Sequence, residues 1–189
     1  MTEQEFFTVH HSLTANIEPM VEDFVLPSPI QFEAEIPAPF VVASEFSQLD
    51  LMADSARKEL KNSDLKNVIS LLDAQNSKLN LLLSFMLSQQ DQAEFRTHTY
   101  SFGASQFSCF TQKDIEAGRY VKAKLFLEHP AAAVYCYAQV SSSQPRDGGF
   151  EVQFKYAHLR DTDQDLLIKA ALHQQQKLLR QRSLDRDNK

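Results

Sequence analysis

The chain has 189 residues, of which 43% are hydrophobic and 23% charged, enough for one domain of ordinary size with a true core and an appendage. A formal net charge of -6 runs against general binding to nucleic acid or anionic membrane, which calls for surplus Lys and Arg. No secretory signal opens the chain, and its longest dense apolar stretch, Leu79 to Leu87, falls far short of the ~20 residues of a membrane span, so a cytoplasmic protein without membrane insertion is expected.

Thr8 to Ile17 alternates loosely between apolar and polar residues and reads as a strand. Five of the seven prolines then fall between Pro19 and Pro39, which predicts an extended segment and no helix. The character changes at Ser44, because no Gly or Pro occurs between Phe40 and Phe102. Ser47 with Asp50 resembles a capping box for a first helix ending near Leu60. Asn62 or Ser63 is expected to cap a second helix from about Asp64 to Gln90, roughly 40 Å long at 1.5 Å per residue.

Two a/d series run along that second helix. One is Ile69, Leu72, Asn76, Leu79, Leu83 and Met86, with Asn76 as a polar residue of the kind that fixes register. The other is Leu65, Val68, Leu72, Gln75, Leu79, Leu82 and Met86. Leu71, Leu81, Phe85 and Leu87 widen the apolar surface beyond what a two-stranded coil uses. The breadth suits self-association in a higher-order bundle, or a helix buried against its own domain.

The second half reads as β. Glu94 to Ser101 is a strand, and Phe102-Gly103-Ala104 turns the chain into Gln106 to Phe110. Gly118 marks the next turn. Val121, Ala123, Leu125 and Leu127 alternate with Lys122, Lys124 and Phe126, as on a half-buried strand. Pro130 is expected to end that strand, and Val134, Cys136, Ala138 and Val140 form the face of the next. Gln144 to Gly149 reads as a hairpin loop, and Phe150, Val152, Phe154 and Tyr156 as a further strand face. Asp161, with Gln164 three residues on, is expected to cap a final helix whose apolar stripe is Leu166, Leu167, Ala170, Ala171 and Leu178.

The stretches GRYVKAKLFL, AVYCYAQVSSS, GGFEVQFKYAHL and DTDQDLLIKAAL, in this order, resemble a PilZ domain over about 90 residues. The resemblance implies an α+β fold: a six-stranded antiparallel barrel with a C-terminal helix. The helical insertion, which LLDAQNSKLNLLLSFML carries, is similar to that of an atypical tetrameric PilZ subfamily with degenerate ligand motifs. The implied division is 1–43 for the first strand and proline-rich segment, 44–92 for the oligomerisation helices, 93–182 for the barrel and last helix, and 183–189 for a disordered tail.

PilZ domains bind cyclic di-GMP through an R-x-x-x-R motif, whose guanidinium groups pair with phosphate, and a D/N-x-S-x-x-G turn. The turn survives here only in outline, as Thr99, Ser101 and Ala104, with Gly103 one place early. No arginine precedes Arg57, so the first motif is missing. Arg96 beside Thr99 and Ser101 is the remnant candidate, with Arg180, Arg182 and Arg186 as distant substitutes. The resemblance therefore implies a non-enzymatic oligomer, a tetramer, working through a protein partner in a bacterial cyclic di-GMP pathway. Its alternative is a genuine receptor with a non-standard site.

Other chemistry finds no constellation. Cys109 and Cys136 form no CxxC pair and read as core residues. The six histidines are scattered without metal spacing, and Asp161, Asp163 and Asp165 lack the glycine of a calcium loop. No P-loop, GxGxxG or GxSxG occurs, so neither a metal nor an enzyme cofactor is expected.

Overall fold

The computed structural model describes residues 8–61, 64–128 and 131–187. The first strand is β1, Thr8–His10, followed by β2, Thr14–Pro19. Three helices come next: α1, Pro29–Glu35; α2, Ala38–Leu60; and α3, Lys66–Ser88. Five strands then run consecutively: β3, Arg96–Gly103; β4, Gln106–Thr111; β5, Tyr120–Leu127; β6, Ala132–Arg146; and β7, Gly149–His158. The last element is α4, Asp161–Asp187.

Six strands close a ring in the order β2, β5, β6, β7, β4, β3 and back to β2, every pairing antiparallel. β1 lies beyond β2 on the same edge of β3. Thr8 faces Gly103, whereas Thr14 faces His98, one residue out of step. The expected strand from Thr8 to Ile17 is thus a single path broken by a bulge at 11–13. In β5 the predicted alternation is exact, with Val121, Ala123, Leu125 and Leu127 buried. They meet Phe102, Phe107, Val134, Val152 and Phe154 inside the ring.

β6 is buried on both faces from Ala132 to Ala138. Its outer face carries Tyr135 and Tyr137, and the proline-rich segment folds over them. Phe32 of α1 stacks on Tyr135 at 5.9 Å and on His158 at 5.3 Å, and Phe40 of α2 meets Tyr135 edge-on at 6.3 Å. Glu35 accepts a 2.7 Å hydrogen bond from the Tyr137 hydroxyl. Burial pushes Tyr135 up to about 12 and raises Tyr137 as well, so both stay protonated donors.

Several local expectations need correction. The prolines do not exclude helix; they open it. Ser28 caps α1 in a capping box with Gln31, with Pro29 in the first turn. Pro37 is the N-cap of α2, and Pro39 lies in its first turn, where a missing N–H costs nothing. Helix therefore begins at Ala38, not after Ser44, and Ser47 is buried inside it without a capping role. The hairpin loop is shorter than read, because Gln144 to Arg146 still pair with β7 and Gly148 takes the left-handed φ of 83°. Asp161 is the first helical residue of α4 and not its cap; the carbonyl of Arg160 accepts from Gln164 N at 3.0 Å. Leu178 is 40% exposed and leaves the stripe, and the tail from 183 continues α4 to Asp187. Asn62, Ser63 and Pro130, where caps and a strand end were expected, lie outside the described residues; the N-cap of α3 is Leu65, so the helix expected from about Asp64 to Gln90 runs from Lys66 to Ser88, and β5 ends at Leu127.

α4 lays Leu166, Leu167, Ala170 and Ala171 into the core. Asp163 sits beneath its first turn with no exposed surface, gripped by Arg160 at 2.8 and 2.9 Å.

Candidate functional site

The four residues singled out around the degenerate turn do not form one site. Thr99 is 3% exposed, and its hydroxyl is consumed inside the chain. It accepts from Leu13 N at 2.8 Å and donates to the His11 carbonyl at 2.8 Å, stitching the bulge between β1 and β2. Ala104 offers its carbonyl to Gln164 Nε2 at 3.0 Å, tying the turn to α4. Arg96 lies at the other end of β3 from Ser101, roughly 16 Å away at about 3.3 Å per residue. There it pairs with Asp91 at 2.7 Å, beside a cleft of about 890 Å³ that Lys113 and Arg119 also line.

Ser101 belongs to a different group. Strand registers set His10, Ser101, Ser108, Gln153 and Ser142 side by side across five strands on the outside of the barrel. Ser101 and Ser108 share a 2.9 Å hydrogen bond, and Ser142 donates to Gln153 Oε1 at 3.3 Å. A second bulge, between Thr99 and Ser101, pushes Tyr100 outward beside this row. Its ring meets His10 edge-on at 5.2 Å and lies 5.6 Å from the Arg146 guanidinium. Ser108 is 4% exposed, so the row offers only the half-buried hydroxyls of Ser101 and Ser142 and the Gln153 amide, with an exposed aromatic edge and one arginine, which Glu151 already neutralises. Sequence reading missed Tyr100, His10 and Arg146. The sequence puts Arg146 in a hairpin loop, and only the full length of β6 brings it to Tyr100.

Cys109 and Cys136 are fully buried, and desolvation raises both thiols, leaving no thiolate at neutral pH. Among the described residues no cluster of three or more His, Cys, Asp or Glu side chains is placed to hold a metal, and no helix is long and apolar enough to cross a membrane.

The second surface is on α3. Leu83, 2% exposed, and Leu87 are buried in the chain's own core, and Ile69 and Asn76 on the same side are half-buried. The first a/d series is therefore split between the inside and the outside of the subunit, and Leu83 is unavailable to another copy. The second series stays together. Leu65, Val68, Leu72, Leu79, Leu82 and Met86 are all between 44% and 62% exposed, and Gln75 is exposed among them. Leu71, Leu81 and Phe85 extend the same outward arc. α2 and α3 form an antiparallel pair held by Arg57 to Asp73 at 2.9 Å. Among described side chains, nothing after Ser47 in α2 or before Leu83 in α3 is buried.

A closed six-stranded antiparallel barrel, with one helix packed on it and a helical pair inserted after its first strand path, is a PilZ-like fold. One solved structure agrees with that class. A pathogenic protein from Xanthomonas campestris, described as a tetrameric PilZ domain self-assembled via an unusual helical bundle, is similar at TM-score 0.57 and 11% identity, covering 94% of this chain and 92% of its own. The Bacillus subtilis inhibitor of motility MotI/DgrA gives TM-score 0.49 and 10% identity over 94% of this chain; the chain spans about half, 53%, of that protein's length. No protein-family model matches the chain, and no curated protein matches it in sequence.

Proposed function

We propose that this chain is a non-enzymatic, self-associating PilZ-like module of cyclic di-GMP signalling in the bacterial cytoplasm, acting through a protein partner. The outward series of α3 carries the reading. A helical pair with almost no buried side chains in its outer half gains little from its own subunit and is stabilised by burying that face elsewhere. The tetrameric helical bundle of the Xanthomonas protein supports four copies as the assembly. Light scattering at tens of micromolar is expected to give four times 21.6 kDa. Leu72→Glu with Leu79→Glu is expected to shift that mass to the monomer with the circular-dichroism signature of the barrel retained. A parent protein that runs as a monomer overturns the proposal.

One observation favours the second reading, a cyclic di-GMP receptor of non-standard kind: the row of Ser101 with Tyr100 and Arg146 on the barrel surface. It lacks the pair of free arginines that a doubly anionic ligand calls for, each charge-assisted bond contributing about 1.5–3 kcal/mol. Calorimetry with cyclic di-GMP is therefore expected to show no binding tighter than ~10 μM, equivalent to about 7 kcal/mol. Tighter binding that Arg146→Ala abolishes makes the receptor reading the better one.

A further inference from the structure

The chain is fastened to the barrel by a polar joint where it leaves α3. Asn16 of β2, 2% exposed, accepts from Gln92 N at 2.8 Å and donates to Asp91 Oδ1 at 2.8 Å. Arg96 closes on the other oxygen of Asp91 at 2.7 Å. Lys124 of β5 stands opposite Asn16 in the strand register and reaches the same joint. Its Nζ donates to the Gln90 carbonyl and to Gln92 Oε1, each at 3.0 Å. Gln90 follows the C-cap of α3, Gln89, so Lys124 holds the chain at the end of the helix.

This amine differs from its neighbour on the strand. Lys122, two residues earlier on the same half-buried face, is paired with Glu18 at 2.6 Å. Both acceptors of Lys124 are neutral oxygens. A neutral oxygen holds an N–H without calling for a positive charge, so the uncharged amine keeps both hydrogen bonds and has its lone pair free in the third direction. Desolvation lowers the Lys124 pKa and Lys122 adds to the effect, while Glu18 on β2 and Asp91, itself held by Arg96, oppose it. We propose that Lys124 Nζ is a modification site for a small acyl phosphate, and that acylation unfastens the barrel end of α3. In that step the amine lone pair attacks the acyl carbon and the N–C bond forms. The C–O bond to phosphate breaks, inorganic phosphate leaves, and Nζ gives its proton to water. The amide product keeps one N–H, so one of the two acceptors is released and the positive charge beside Asp91 is gone. A compact donor suits an amine that is half-buried between a strand and a helix end.

Acetyl phosphate added to the whole chain, with labelling read residue by residue by peptide mass spectrometry, tests the site. Lys124 is expected to acetylate at least about threefold faster than Lys122 and than the exposed Lys113, and the difference is expected to vanish in urea. Gln92→Glu, at an exposed position, sets a carboxylate against Nζ and is expected to bring Lys124 down to the rate of Lys122 with Lys113 unchanged. Labelling of Lys124 no faster than Lys122 in the parent overturns the site, and so does a Gln92→Glu variant that labels Lys124 as fast as the parent. Hydrogen exchange reads the consequence. Lys124→Gln, uncharged like the acetylated form, is expected to speed exchange of the Gln90 and Gln92 amides at least about fivefold, whereas Lys124→Arg, which keeps the charge, stays within about twofold of the parent. Equal exchange in all three proteins overturns the unfastening.

Discussion

Thr99 and Ser101 stand two positions apart on β3 and spend their hydroxyls differently. Thr99 faces inward and satisfies two main-chain groups of the bulge, whereas Ser101 shares one bond with Ser108 on the outer face. Thr99→Val leaves a buried N–H without its acceptor, and a loss of about 1–3 kcal/mol in urea unfolding is expected. Ser101→Ala is expected to cost under ~1 kcal/mol by the same measurement. Asp163 behaves in another way. Burial raises its carboxyl above the ordinary 3.8 although Arg160 pulls the other way. The native chain then holds this proton more tightly than the unfolded chain does. Its contribution is fully present below 3.8 and is lost as pH rises from there through the folded value. In a pH series of thermal melts, the parent is expected to lose ground to Asp163→Asn as pH rises through that window.

The two halves of the interleaved series on α3 make opposite predictions at the scale of the element. Leu83 fills the subunit core, so Leu83→Ala is expected to cost about 2–5 kcal/mol of subunit stability in denaturant melts. Leu82→Ala, one residue earlier and 62% exposed, is expected to change the unfolding of the single chain by less than ~1 kcal/mol. Sequence periodicity alone gave both series equal standing, because a helix apolar over most of its circumference does not reveal which arc meets its own barrel. β5 was legible for the opposite reason: one face is core and the other is half-solvated, so a period of two is printed in Val121 to Leu127. The helix starts were misread because proline carries two meanings. It breaks a helix interior and suits a first turn, and only the cap geometry at Ser28 and Pro37 distinguishes them. The grouping of Tyr100 with Arg146 was illegible because it depends on a bulge and on a register between distant strands.

At the scale of the molecule, the ring leaves no open strand edge between Ile17 and the core thiols, so Cys109 and Cys136 report on cooperative opening. An aromatic disulfide reagent is expected to label neither thiol in the native protein. In rising urea both are expected to react together, along the same transition that circular dichroism follows. Labelling of one thiol well before the transition indicates a local route into the barrel.

The pairing of Ala15 with Leu125 joins positions about 110 residues apart, and β2 also needs β3 after the helices. During synthesis β2 therefore leaves the ribosome long before its partners exist, while α2 and α3 follow it at once and need only each other. A nascent chain in this state displays the leucine face before it owns a barrel. Ring closure, which waits for strands about 110 residues downstream, is thus the slow last step of maturation.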